Sequence, residues 1–151
     1  GYANERIPTR SGPGTGYEWT SSYYGAGHQV KVTSKCWDDN NDLYWYLIEF
    51  EYEGEWYRLY TTEHSIDADT STVPVEPQVG DPLDTRKGLA EHAYYYGPGD
   101  EYAVVEDAKM VVGKRCDVYL IENEWALVEY MDYAKDVARR AWVPVNVLYE
   151  N

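Results

Sequence analysis

In the clearest segments of this chain apolar and polar positions alternate, so successive side chains fall on opposite faces of an extended backbone. In HQVKVTSKCW, residues 28–37, Val30, Val32 and Ser34 share one face. In LYWYLIEFEY, residues 43–52, Tyr44, Tyr46, Ile48 and Phe50 fall on one face and Trp45, Leu47 and Glu49 on the other. Their density of β-branched and aromatic residues suits strands. Between them DDNND, residues 38–42, is a turn, because Asp and Asn tolerate left-handed backbone and bond their own main chain. EYEGEWYRLY at 51–60 is a second hairpin, turning near Gly54. The second half repeats the plan with KMVVGKRC, DVYLI, a turn at Glu122–Asn123, and EWALVEYM. There Ala126, Val128 and Tyr130 oppose Trp125, Leu127 and Glu129, and the Val128 face is assigned to the core. Only DTRKGLAEHAYYY and YAKDVARRA could pass for helix, and both are short. Short strands with regular turn signals and no amphipathic helix predict an all-β fold, a small barrel or sandwich.

The halves also match each other in order. Gly12-Pro13-Gly14 followed by Tyr17 returns as Gly97-Pro98-Gly99 followed by Tyr102, at an offset of 85. YWYLIEF at 44–50 matches EWALVEY at 124–130 at an offset of 80, which Cys36 and Cys116 share. RLYTTEHSI at 58–66 matches RAWVPVNVL at 140–148 at an offset of 82. A preserved order with a drifting offset points to a tandem repeat with small loop insertions. Between the copies lies ADTSTVPVEPQVGDPLDT, with Pro74, Pro77 and Pro82 and no periodicity, which reads as an extended linker. The expected division is a first domain at 1–68, a linker at 69–82 and a second domain at 83–151.

The copies resemble bacterial SH3 (SH3b) domains, small β-barrels found as tandem modules in secreted and cell-wall-associated bacterial proteins. PTRSGPGTGY at 8–17 is similar to the family's opening signature, and GHQVKV, YWYLIEF and RLYTTEHSI follow in the family's order. The second copy departs at the opening, where Tyr95 and Tyr96 stand in place of Arg10 and Ser11, but RAWVPVNVL matches the closing strand and short 3₁₀ turn better. The resemblance implies two small SH3-like β-barrels in tandem with no catalytic residues. It implies binding or targeting outside the cell or at its surface, with a targeting segment upstream of Gly1 and a cell-wall peptide or partner protein as ligand. In such a barrel the Gly-Pro-Gly leaves the first strand for a long loop, the glycines allowing strained backbone and Tyr17 or Tyr102 packing back to pin it.

Composition sharpens the ligand chemistry. Seventeen Tyr and six Trp against one Phe supply apolar bodies with polar tips, suited to shallow cores and half-exposed faces. Barrels of this type that bind peptides use a groove lined by Tyr, Trp and Pro. The groove candidates are therefore Tyr17, Trp45, Tyr60, Tyr102, Trp125 and Trp142. A net charge of −14, with VARRA at 137–141 as the densest basic run, argues against nucleic acid and anionic membrane as partners. No run approaches the ~20 apolar residues of a membrane helix, so membrane insertion is not expected. WDDNNDLYW gathers three carboxylates but lacks the spacing, glycine and closing Glu of a calcium loop, so no metal is assigned. Glu49, Glu51, Glu53 and Glu55 alternate onto one hairpin face, where a glycosidase pair would need a cleft and one raised pKa. Exposed strand carboxylates more commonly protect edges. Neither His64 nor His92 has a cysteine-peptidase context, so Cys36 and Cys116 are read as free, small strand residues. No cofactor is expected. Two other readings stay open: an interaction or structural module without a wall ligand, and a small enzyme using the Glu-rich hairpin or a Cys/His pair.

Overall fold

The computed structural model describes residues 2–3, 7–24 and 29–150, and the side chains of 9–20 and 29–150. The described chain is all-β. The first sheet holds β2 (Ile7–Arg10), β3 (Trp19–Tyr24), β4 (Lys31–Asp38), β5 (Leu43–Tyr52) and β6 (Glu55–Thr62), in the order β3-β2-β6-β5-β4. A separate pair joins β1 (Tyr2–Ala3) to β7 (Ile66–Asp67). The second sheet holds β8 (Asp84–Lys87), β9 (His92–Tyr95), β10 (Val104–Met110), β11 (Arg115–Glu122), β12 (Trp125–Asp132) and β13 (Val137–Pro144). Its order is β10-β9-β13-β12-β11-β8, and the strand pairings are antiparallel in both sheets. Single 3₁₀ turns follow β6 (Glu63–Ser65) and β13 (Val145–Val147). The two segments that could pass for helix are strands β8, β9 and β13, because paired neighbours satisfy their backbone.

Turn chemistry sets the hairpins. Asp38 Oδ1 accepts the backbone N–H groups of Asn40 (2.9 Å) and Asn41 (3.2 Å), closing the β4–β5 turn. Between β5 and β6, Glu53 (φ 51°) and Gly54 (φ 82°) form the left-handed pair that a tight hairpin needs. Between β11 and β12 that pair is Asn123 (φ 52°) and Glu124 (φ 65°), one residue later than the sequence suggests.

Pairings recur between the halves at the offsets of the sequence matches. Ala3 opposite Ile66 returns as Gly88 opposite Leu148. Arg10 opposite Tyr60 returns as Tyr95 opposite Trp142. A bulge between Val32 and Ser34, facing Ile48 and Leu47, returns between Val118 and Leu120, facing Val128 and Leu127. This last pair corrects one expectation: the two cysteines are not equivalent. Cys36 faces Trp45, whereas the residue facing Trp125 is Glu122, and Cys116 pairs with Arg86 of β8. The β4–β5 turn is longer than the β11–β12 turn, so the shared offset of the cysteines is a coincidence. Both are buried free thiols.

The alternation of β5 is borne out: Tyr46, Ile48 and Phe50 pack with Val30, Leu59 and Ile66. In β12 the face of Ala126, Val128 and Tyr130 packs with Tyr94, Met110 and Val143. The opposite faces are also buried. Trp45, Leu47 and Tyr60 of the first sheet meet Leu127 and Trp142 of the second in a third apolar cluster. Among the described residues neither ladder closes into a barrel. The free edge of β4 is taken by the linker, with Val75 parallel to Lys35, and that of β11 by β8.

Candidate functional site

The two Gly-Pro-Gly loops are clasps across the seam. Tyr17 packs back over Gly12 so closely that a Cβ there would lie 2.1 Å from the ring, and Tyr102 does the same over Gly97 at 2.1 Å. Neither glycine has positive φ; what each supplies is room for an aromatic ring rather than strained backbone. The pinned tyrosines then reach the opposite sheet. Tyr17 donates its hydroxyl proton to Glu129, and Tyr102 donates to Glu49. Each carboxylate is held by an arginine of its own sheet: Arg140 Nε bonds Glu129 at 2.9 Å and Arg58 Nε bonds Glu49 at 2.9 Å. Backbone bonds repeat the exchange, from Glu18 N–H to Ala138 C=O (3.3 Å) and from Ala103 N–H to Trp56 C=O (2.9 Å). Burial works against ionisation of Glu49, but the hydrogen bonds from Tyr102 and Arg58 hold its carboxyl below the usual range. Burial pushes the Tyr17 hydroxyl far above its ordinary value.

The two arginines differ in their second carboxylate. Arg58 takes Glu122, in a two-pronged contact of 3.1 and 3.0 Å. The position matching Glu122 on the first sheet is Cys36, which carries no charge at neutral pH. For Arg140 the linker supplies the missing group: Glu76 lies 3.3 Å from its Nη1, both side chains 0% exposed. Glu76 also accepts bonds from Ser34 and from Tyr60 (2.6 Å). Arg140 lies over the Tyr119 ring at 3.8 Å. Burial alone would lower the Arg140 pKa; Tyr60, Tyr17, Glu76 and Glu129 around it hold it well above normal. The linker is thus part of the packed molecule. Glu76 N–H bonds Lys35 C=O at 2.8 Å, and Gly80 N–H bonds the Tyr119 hydroxyl at 2.9 Å.

These contacts place most of the expected groove aromatics. Tyr17, Trp45, Tyr60 and Trp142 are buried, and Tyr102 is half-buried as the second clasp. They face the other sheet, so their main contacts run across the seam. Sequence alternation separates Trp45 and Leu47 from the face of Tyr46, Ile48 and Phe50 but carries no sign that a second sheet covers them.

Trp125 is the candidate that stays at an open surface. It is half-buried, held edge-on by Tyr95 (centroids 5.2 Å, 77°) and His92 (6.1 Å, 85°). Around it Leu89, Ile121, Pro144, Leu148 and Tyr149 line a groove of about 1040 Å³. Leu89, Ile121 and Tyr149 are exposed. The matching place on the first sheet is smaller, about 350 Å³, with Thr61, Thr62 and Ser65 beside Trp45. Leu89, Ile121 and Tyr149 were not singled out from sequence, since isolated apolar residues near turns carry no periodic signal.

The other constellations resolve simply. The acidic hairpin does not keep its four carboxylates on one face, because the chain reverses at Glu53–Gly54 and Glu49 turns into the seam. Asp38 spends its carboxylate on its own turn and on the Trp45 indole N–H (2.9 Å). Among the described residues no group of three or more His, Cys, Asp or Glu is placed to hold a metal ion. Among them also no helix is long and apolar enough to cross a membrane. Comparison with known proteins finds no matching family model, no matching curated protein and no matching solved structure.

Proposed function

We propose that the chain is a non-catalytic binding and targeting module of two SH3-like barrels of the bacterial SH3 type, acting outside the cell or at its surface. Its ligand is a cell-wall peptide or an extended segment of a partner protein. The observation that carries this reading is the open groove around Trp125, where aromatic rings and Pro144 offer rigid platforms to an extended chain. The recurrence of strand pairings between the halves supports the tandem barrels, and the resemblance supplies the compartment. Burial pushes the thiols up, Cys36 to about 11 and Cys116 to about 12, which favours the non-catalytic reading because only a thiolate is a good nucleophile.

Sedimentation with purified peptidoglycan tests the reading. The wild-type protein is expected to co-sediment, and Leu89→Ala and Tyr149→Ala, both at exposed positions, to lose about tenfold in affinity. Retention unchanged in both variants would remove the groove from the function. A second reading, a module that spaces or assembles other domains without a wall ligand, is favoured by the burial of Tyr17, Trp45, Tyr60 and Trp142 in the seam. Absence of wild-type retention on peptidoglycan decides for it.

A further inference from the structure

We propose that the seam carries a second binding site, separate from the Trp125 groove, which takes a lysine or arginine side chain from an extended basic segment of a partner protein. On the side where β3 and β10 approach, a cleft of about 500 Å³ opens between the sheets. Its aromatic residues come from both halves: Tyr57 and Tyr96, with ring centroids 5.1 Å apart. Tyr57 is fixed by stacking on Phe50 (5.6 Å, 16°). Trp19, 57% exposed, and Val104, 42% exposed, occupy matching positions in the two halves and both line the cleft. The Arg10 guanidinium already lies over the Trp19 ring at 3.9 Å; the area the ring still exposes, beside two tyrosines, is a platform for an aliphatic stem.

The charges in the cleft are unevenly matched. Four acidic residues, Glu18, Glu55, Glu106 and Asp107, face two basic ones, Lys135 and Arg139. Both cations are already shared by the same two carboxylates: Arg139 bonds Glu18 (3.0 Å) and Asp107 (2.9 Å), and Lys135 bonds Glu18 (3.0 Å) and Asp107 (2.6 Å). Arg139 adds Asp132 at 3.0 Å. Glu55 and Glu106 have no cationic partner among the described residues. Two unmatched carboxylates beside exposed aromatic faces recognise one side-chain chemistry: a cationic head for charge-assisted bonds, on an apolar stem that lies along the rings. The volume admits one or two long side chains. Among the described residues Glu55 accepts only the Tyr57 hydroxyl, at 3.4 Å, so an anionic or purely apolar segment would leave both glutamates without a counter-charge. Each half contributes walls and carboxylates, so a single copy of the repeat does not form the site.

The test is a titration of the ¹⁵N-labelled full chain with an acetylated, amidated Gly-Lys-Gly-Lys-Gly peptide, followed at the Trp19 indole N–H. That signal is assigned by its loss in Trp19→Phe. A saturable shift is expected, weakened about tenfold in Glu55→Gln and in Glu106→Gln and unchanged in Leu89→Ala. Equal binding of the same peptide with its lysines acetylated would overturn the proposal, as would a shift indifferent to both glutamine variants. A response lost in Leu89→Ala would assign the binding to the Trp125 groove instead. Because the groove variants leave this signal untouched, the peptidoglycan reading and this one fail independently.

Discussion

At the scale of single residues, what matters is where a small or charged group has no substitute. Gly12 and Gly97 each sit under a tyrosine ring that a methyl group would displace. Gly12→Ala and Gly97→Ala are expected to cost about 2 kcal/mol each by urea denaturation, whereas Gly16→Ala, with open space around it, is near neutral. Glu76 is the residue whose loss leaves Arg140 short of a buried counter-charge. Glu76→Gln should destabilise the protein by about 3 kcal/mol in the same measurement. Asp107 carries the acid-side signature. Hydrogen bonds from Arg139 and Lys135 lower its pKa from 3.8 to about 2. A carboxylate depressed in the folded state contributes stability above its unfolded pKa and loses it as the pH falls through the folded value. Stability should therefore drop between about pH 4 and pH 2, less steeply in Asp107→Asn, as read from urea midpoints against pH.

At the scale of elements, the strands were legible because alternation over eight to ten residues cannot be satisfied by a helix. β8, β9 and β13 were less so: Ala, Lys, Arg and Glu favour helix locally, and the decision came from neighbouring strands that pair with them. The turns follow the same division. DDNND announces itself through Asp38, but the β11–β12 turn places Glu124 at φ 65°, where a side chain is strained. Glu124→Gly is expected to raise stability by about 0.5–1 kcal/mol, seen as a higher midpoint in thermal denaturation. The linker reads as extended; the structure runs it past Lys35 with turns at Thr70–Val73 and Gln78–Asp81. Its docking through Glu76 could not be read, because one acidic residue between two prolines looks like any solvated one.

At the scale of the whole molecule, the apolar cluster of Trp45, Leu47, Tyr60, Leu127 and Trp142 belongs to both halves, so neither completes its burial alone. The 151-residue chain should unfold in one transition by circular dichroism and by tryptophan fluorescence. Leu127→Asp should cost at least 3 kcal/mol and lower the stability reported from both sheets together. The sequence by itself determined the all-β class, the split of the two faces in β5 and β12, the hairpins and the correspondence of the Gly-Pro-Gly loops, since each depends on neighbours along the chain. Only the tertiary structure decided that the opposite faces meet, that each pinned tyrosine bonds a glutamate of the other half, and that the linker completes the cage around Arg140. Those contacts join residues up to 123 positions apart. A strand face of Trp, Leu and Glu carries the same pattern whether water, a ligand or its own duplicate covers it.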